Sequence, residues 1–129
     1  MDRPNILLVT TDQQRADAVG YESPVVQTPA LDGLLERGIA FRRAYTCNPV
    51  CTPARASILT GHYPSRHGAY HVGVSLPPEY PTLTKRLSEA GYFTGLLGKA
   101  HFQPCLDPGS FEAAPHIFDR DVCRDWDGP

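Results

Sequence analysis

Apolar residues along this chain come in short runs, punctuated by residues that start and stop helices. Asn5 to Thr11 is apolar and β-branched with little alternation, the pattern of a strand covered on both faces in a parallel sheet. Asp12 and Gln13 follow at its carboxyl end, the edge where ligand sites of open α/β sheets gather. Thr28-Pro29 combines an N-cap with a proline at the first helical position. Leu31, Leu34 and Leu35 then share one face, and Gly38 is placed to end that helix in a left-handed cap. Ile39 to Tyr45 predicts a further strand. Pro53 opens a second helix, with Ile58 and Leu59 as buried positions and Gly61 at its close. Thr82 repeats the capping logic for a third helix, with Leu83, Leu87 and Ala90 facing inward and Gly91 at the end. Tyr92 to Leu97 predicts another strand, running into Gly98-Lys99-Ala100-His101.

This alternation of strands and helices predicts an α/β fold with a largely parallel sheet flanked by helices. Gly61 to Pro81, rich in proline and glycine, is expected to be mostly loop. From Gln103 onward periodicity disappears, so residues 103–129 are expected to form an irregular, loop-rich end. Neither an internal repeat nor a low-complexity tract is visible.

Composition narrows the class. The 129 residues suffice for one small domain, and 41% hydrophobic with 20% charged residues is a globular balance. Twelve basic against fourteen acidic residues leave a formal charge of −2, which points to neither nucleic acid nor a membrane surface as partner. The apolar run at Asn5–Val9 is too short for a signal-peptide core, so a cytoplasmic location is expected. Cys47, Cys51, Cys105 and Cys123 are expected to be reduced thiols. Cys47 and Cys51 have zinc-compatible spacing, but no second pair matches it. A small module stapled by two disulfides would need export, of which the sequence has no sign.

The chemistry concentrates around Cys51. Because Pro53 can start a helix, residue 51 falls at or just before a helix N-terminus, where free N–H groups and the helix dipole favour an anion. Arg55, four positions on, returns to the same face. Taken alone, Cys51 reads as a buried thiol and Arg55 as a solvated helix charge. The whole run Cys51-Thr52-Pro53-Ala54-Arg55-Ala56-Ser57-Ile58-Leu59-Thr60-Gly61, however, resembles the sulfatase signature, C-x-P-x-R followed by a short helix ending in Thr-Gly. The family often has serine where this chain has Ala54.

Two further segments carry the same resemblance. Pro4 to Asp17 is similar to the sulfatase amino-terminal strand and metal loop, with Asp12-Gln13 where the family often has two aspartates. Leu97-Gly98-Lys99-Ala100-His101-Phe102 resembles the family's Gly-Lys-x-His motif. The resemblance implies an alkaline-phosphatase-like fold. It also implies that Cys51 is converted by a formylglycine-generating maturation enzyme into an aldehyde, whose hydrate is the nucleophile. Arg55 and Lys99 would then bind the sulfate and His101 would hydrogen-bond the nucleophile. Asp12, Gln13 and the group at Cys51 would meet a divalent metal. Oxygen ligation points to calcium, with manganese or magnesium fitting the same ligands. His67 and Arg66 are expected to order the loop after the signature helix, and His71 to be solvated.

The implied reaction is hydrolysis of a sulfate ester of a small molecule or saccharide. Phosphonate monoester and phosphodiester hydrolases of the same superfamily share this half of the site and remain an alternative. The resemblance covers residues 3 to 102, while family members are several times longer. The 129 residues are thus expected to be the amino-terminal portion of a sulfatase catalytic domain. Alone they are expected to be inactive, because the later metal ligands are missing.

Overall fold

Pro64, at the first turn of a four-residue helix, and left-handed Gly68 behind it set the course of the chain's best-packed region. The computed structural model describes residues 3–101 and the backbone of a strand at 113–116. It divides into two units, Met1–Ala44 and Tyr45–Pro129.

The first unit contains helix α1, Pro29–Leu35. Thr28 precedes it as expected, but its side chain makes no capping bond. Instead Thr28 Oγ1 accepts the Gly20 N–H at 2.7 Å and donates to Asp32 Oδ1 at 3.2 Å. A Cβ at position 20 would meet the Asp32 carboxylate, which would have to swing aside and give up its bond to Thr28. Helix α1 ends earlier than the leucine pattern predicts, with Glu36 in right-handed geometry, and Gly38 is not left-handed. Leu31 and Leu34 are exposed. The strands expected at Asn5–Thr11 and Ile39–Tyr45 are not formed, and Leu7 is 88% exposed. A strand buried on both faces needs neighbours to take its N–H and C=O groups. The local apolar run cannot supply them.

The second unit is built on helix α2, Cys51–Thr60, which Gly61 closes in left-handed geometry (φ 70°) with its N–H on the Ser57 carbonyl at 2.8 Å. Helix α3 is Pro64–His67. Helix α4, Leu83–Glu89, is capped as the sequence predicts, because Thr82 Oγ1 accepts the Lys85 N–H at 3.3 Å. Left-handed Gly91 ends it, with its N–H on Ser88 at 2.7 Å. The core is Ala56, Ala69 and Leu76, with Tyr80 packed against them. The buried positions of α2 are Thr52, Pro53 and Ala56, whereas Ile58 is half exposed. On α4, Leu83 and Ala90 are exposed and Leu87 is half-buried. Small residues let the elements of this unit approach closely, so the buried stripe runs through them instead of the larger aliphatics.

Strand β1, Gly95–Leu97, is shorter than predicted and pairs in parallel with β2, Ala113–His116. Strand β2 lies within the stretch expected to be irregular. Gly95 faces Ala113 and Leu97 faces His116, so β2 carries one extra residue. Pro115 falls in that interval, and having no N–H it suits an irregular register. The rest of 103–129, with Cys105 and Cys123, lies outside the described residues. Among the described residues, no helix is long and apolar enough to cross a membrane.

Candidate active site

Helix α2 begins with Cys51 itself. The turn before it is held locally: Thr46 Oγ1 donates to the Asn48 carbonyl at 2.8 Å, and the Val50 N–H donates to Asn48 Oδ1 at 2.8 Å. Val50 is extended and offers no side-chain cap. Pro53, third in the helix, has no N–H, so the free donors of the first turn are those of Cys51 and Thr52. Thr52 is 1% exposed, and its Oγ1 has no hydrogen-bond partner among the described residues.

Arg55 is half-buried, one turn beyond Cys51. Its guanidinium donates to the Lys99 carbonyl at 2.9 Å. That bond joins α2 to the loop after β1, where Gly98 turns the chain in left-handed geometry and Ala100 is buried. His101 follows with φ 44° and both ring nitrogens screened from solvent. The structure thus brings Arg55 to Lys99, with His101 two residues on. Cys47 and Cys51 are both free thiols.

Asp12 and Gln13 belong to the first unit, and both are exposed. Gln13 has φ 54°, and with His101 it makes up the non-glycine residues of positive φ among those described. Such backbone costs about 1–2 kcal/mol for an L-residue and gathers at functional positions. Both fall within the segments that carry the sulfatase resemblance. The Asp12 carboxylate and the Gln13 amide oxygen suit a hard cation in kind. Among the described residues, no three His, Cys, Asp or Glu side chains cluster as a metal site. Asp17 forms an exposed, two-pronged ion pair with Arg15 at 2.6 and 2.9 Å.

His67 is fully buried and touches α2, since its Nε2 lies 2.9 Å from Ser57 Oγ. Burial, and secondarily the charge of His62, pushes its pKa below the ordinary value, against a weaker opposing backbone hydrogen bond. His62 packs edge-on against Tyr80, whose hydroxyl donates to the Arg66 carbonyl. His71 is exposed, with Nδ1 2.9 Å from the Val72 carbonyl. The sequence reading passed over Ser57. The signal available was Pro64 and Gly68, which bracket a single turn ending on a histidine.

The sulfatase family model matches residues 4–112. The chain belongs to the sulfatase family. Among curated sulfatases it is 42% identical over 102 residues to the uncharacterized sulfatase YidJ of Escherichia coli, covering 78% of this chain and 20% of that protein. With the arylsulfatase of Clostridium perfringens it shares 42% identity over 105 residues, 79% of this chain and 22% of that one. Among solved structures, BT4656 in complex with its substrate D-glucosamine-2-N, 6-O-disulfate superposes with a TM-score of 0.79 at 33% identity, covering 86% of this chain and 22% of that one. A phosphonate monoester hydrolase of Agrobacterium radiobacter superposes with a TM-score of 0.75 at 29% identity, covering 89% and 25%. These neighbours share the alkaline-phosphatase-like fold, of which this sulfatase chain is a part. It spans about a fifth of the length of the curated relatives it matches. Sulfatases generally carry a metal and a formylglycine.

Proposed function

We propose that this chain is the amino-terminal portion of a sulfuric ester hydrolase whose nucleophile derives from Cys51. The observation that carries the reading is the Arg55–Lys99 bond, which fastens the helix beginning with Cys51 to the Lys99–His101 loop. Arg55 and Lys99 are the cations for the sulfate oxygens, and the first-turn N–H groups of α2 add to the same field. Arg55, held by Lys99, does not need to reorganise as charge moves onto those oxygens. His101 orients the hydroxyl at position 51.

When formed from Cys51, a hydrated formylglycine supplies two hydroxyls on one carbon: one attacks sulfur as the alcohol leaves, and the other loses its proton as sulfate is expelled. Asp12 and Gln13 are the proposed oxygen ligands of a divalent cation, calcium by their hardness, with manganese or magnesium also suited. When bound, such a cation lowers the pKa of a neighbouring hydroxyl and polarises the ester oxygens. A formylglycine-generating enzyme is the implied maturation partner. Sulfated saccharides are the favoured substrate class, since BT4656 binds D-glucosamine-2-N, 6-O-disulfate. The phosphonate monoester hydrolase neighbour supports a second reading, because sulfuryl and phosphoryl groups share shape and charge.

The test is the mass of the tryptic peptide Ala44 to Arg55 after thiol alkylation, from protein made in its native host. A residue 51 about 18 Da lighter and unalkylated, beside an alkylated Cys47, is the expected result. Two alkylated cysteines would overturn the formylglycine reading. Full-length protein would then be assayed on sulfate and phosphonate esters side by side.

A further inference from the structure

His67 has no part in the chemistry just described, yet it is the largest fully buried side chain among the described residues. A buried imidazole is costly unless both nitrogens are satisfied. The Ala69 N–H donates to Nδ1 at 3.1 Å, and Ser57 Oγ stands 2.9 Å from Nε2. A backbone amide can only donate, so Nδ1 carries the lone pair and Nε2 the proton. Nε2–H therefore donates to Ser57. This excludes a serine–histidine nucleophile pair, although Ser57 also lines a cleft of about 320 Å³ with Tyr45, Ile58 and Tyr63. A base for Ser57 would need its lone pair on Nε2.

What remains is a mechanical role. Ser57 sits two residues beyond Arg55 on α2, so two side-chain hydrogen bonds hold the helix in addition to its buried face of Thr52, Pro53 and Ala56. Arg55 is tied to the Lys99 carbonyl, and Ser57 to His67. His67 is itself anchored by Ala69, a core residue beside Ala56. Together with that face, the two bonds fix the rotation of the helix about its axis. We propose that His67 is a positioning residue: through Ser57 it sets the rotation of α2, and with it the direction in which residue 51 and Arg55 point. Its effect on turnover rests on the sulfatase reading.

The test compares His67→Ala, His67→Gln, Ser57→Ala and the Ser57→Ala/His67→Ala double variant in full-length protein matured in its native host. The glutamine amide can restore an N–H toward Ser57. On an aryl sulfate, each alanine variant is expected to lower kcat about tenfold with KM within about twofold. The double variant should be no worse than either single one, and glutamine should recover much of the loss. Unchanged kcat, multiplying losses, or glutamine no better than alanine would overturn the proposal. A second readout is independent of turnover. The ¹⁵N spectrum of the His67 ring at pH 7 should show protonated Nε2 and bare Nδ1, with the Nε2 proton exchanging faster in Ser57→Ala. A protonated Nδ1, or exchange indifferent to Ser57, would sink the clamp. If the wild type hydrolyses no sulfate ester, the sulfatase reading fails, and the ring spectrum alone decides the clamp.

Discussion

The guanidinium of Arg55 donates to the backbone carbonyl of Lys99 at 2.9 Å, across 44 residues of chain. One N–H of the guanidinium thereby serves the fold, while Arg55 is also the cation proposed for the sulfate oxygens. Arg55→Lys keeps the charge but has no second arm with which to do both. It is expected to lower kcat on a sulfate ester by about 10²–10³, the usual effect of losing one transition-state donor. Steady-state kinetics beside a thermal melt would check this, with the loss in rate far outrunning any loss in stability.

Acid should weaken the fold through His67. Burial holds its pKa below the ordinary 6.5, with the charge of His62 contributing. As pH falls through 6.5 the unfolded chain takes up a proton that the folded chain does not. The contribution of His67 is therefore complete above 6.5, is lost as pH drops toward the lowered folded value, and levels off below it. Each unit of separation is worth about 1.4 kcal/mol. Denaturant midpoints measured from pH 7.5 to 5 should show this slope, and His67→Gln should flatten it.

Gly61 offers a clean test of backbone strain. A Cβ there meets nothing within 4 Å, yet φ is 70°. Gly61→Ala should cost about 1–2 kcal/mol from conformation alone. Gly61→Asn should cost less, since asparagine tolerates left-handed geometry. Chemical denaturation of the two variants separates them.

Gln13 predicts a trade. It is exposed with φ 54°, so Gln13→Gly removes strain without removing packing. Stability should rise by about 1 kcal/mol if strain relief exceeds the added freedom of the unfolded chain. If Gln13 is a metal ligand, calcium affinity of the full-length protein should fall in the same variant, as read by calorimetry after chelation. Asp12→Asn should weaken calcium binding further without the gain in stability.

Local punctuation was the most legible part of this chain. Thr82, Gly61 and Gly91 cap and close their helices as expected, because those hydrogen bonds span only a few residues. Burial was less legible. Ile58 and Leu83 are the apolar choices by pattern, but Thr52, Pro53 and Ala56 face inward, where α2 is packed closely. The strands expected at 5–11 and 39–45 depend on distant partners, which a local pattern cannot specify. The motifs name Arg55 and Lys99 together, and in the fold the Arg55 guanidinium reaches the Lys99 backbone carbonyl. His67 drew little attention in sequence because its partners, Ser57 and Ala69, become neighbours only once α2 and α3 pack together.

The uncharged run from Asn5 to Thr11 leaves Ile6, Leu7, Leu8 and Val9 open to solvent. These seven residues carry no charge or proline among themselves and have the composition of a cross-β segment, with only Pro4 and Asp12 at their borders to oppose stacking between chains. For this polypeptide handled by itself, solubility would be limited by concentration and storage time before temperature. A lysine at position 7 or 9 would place a charge within that run and lengthen its shelf life.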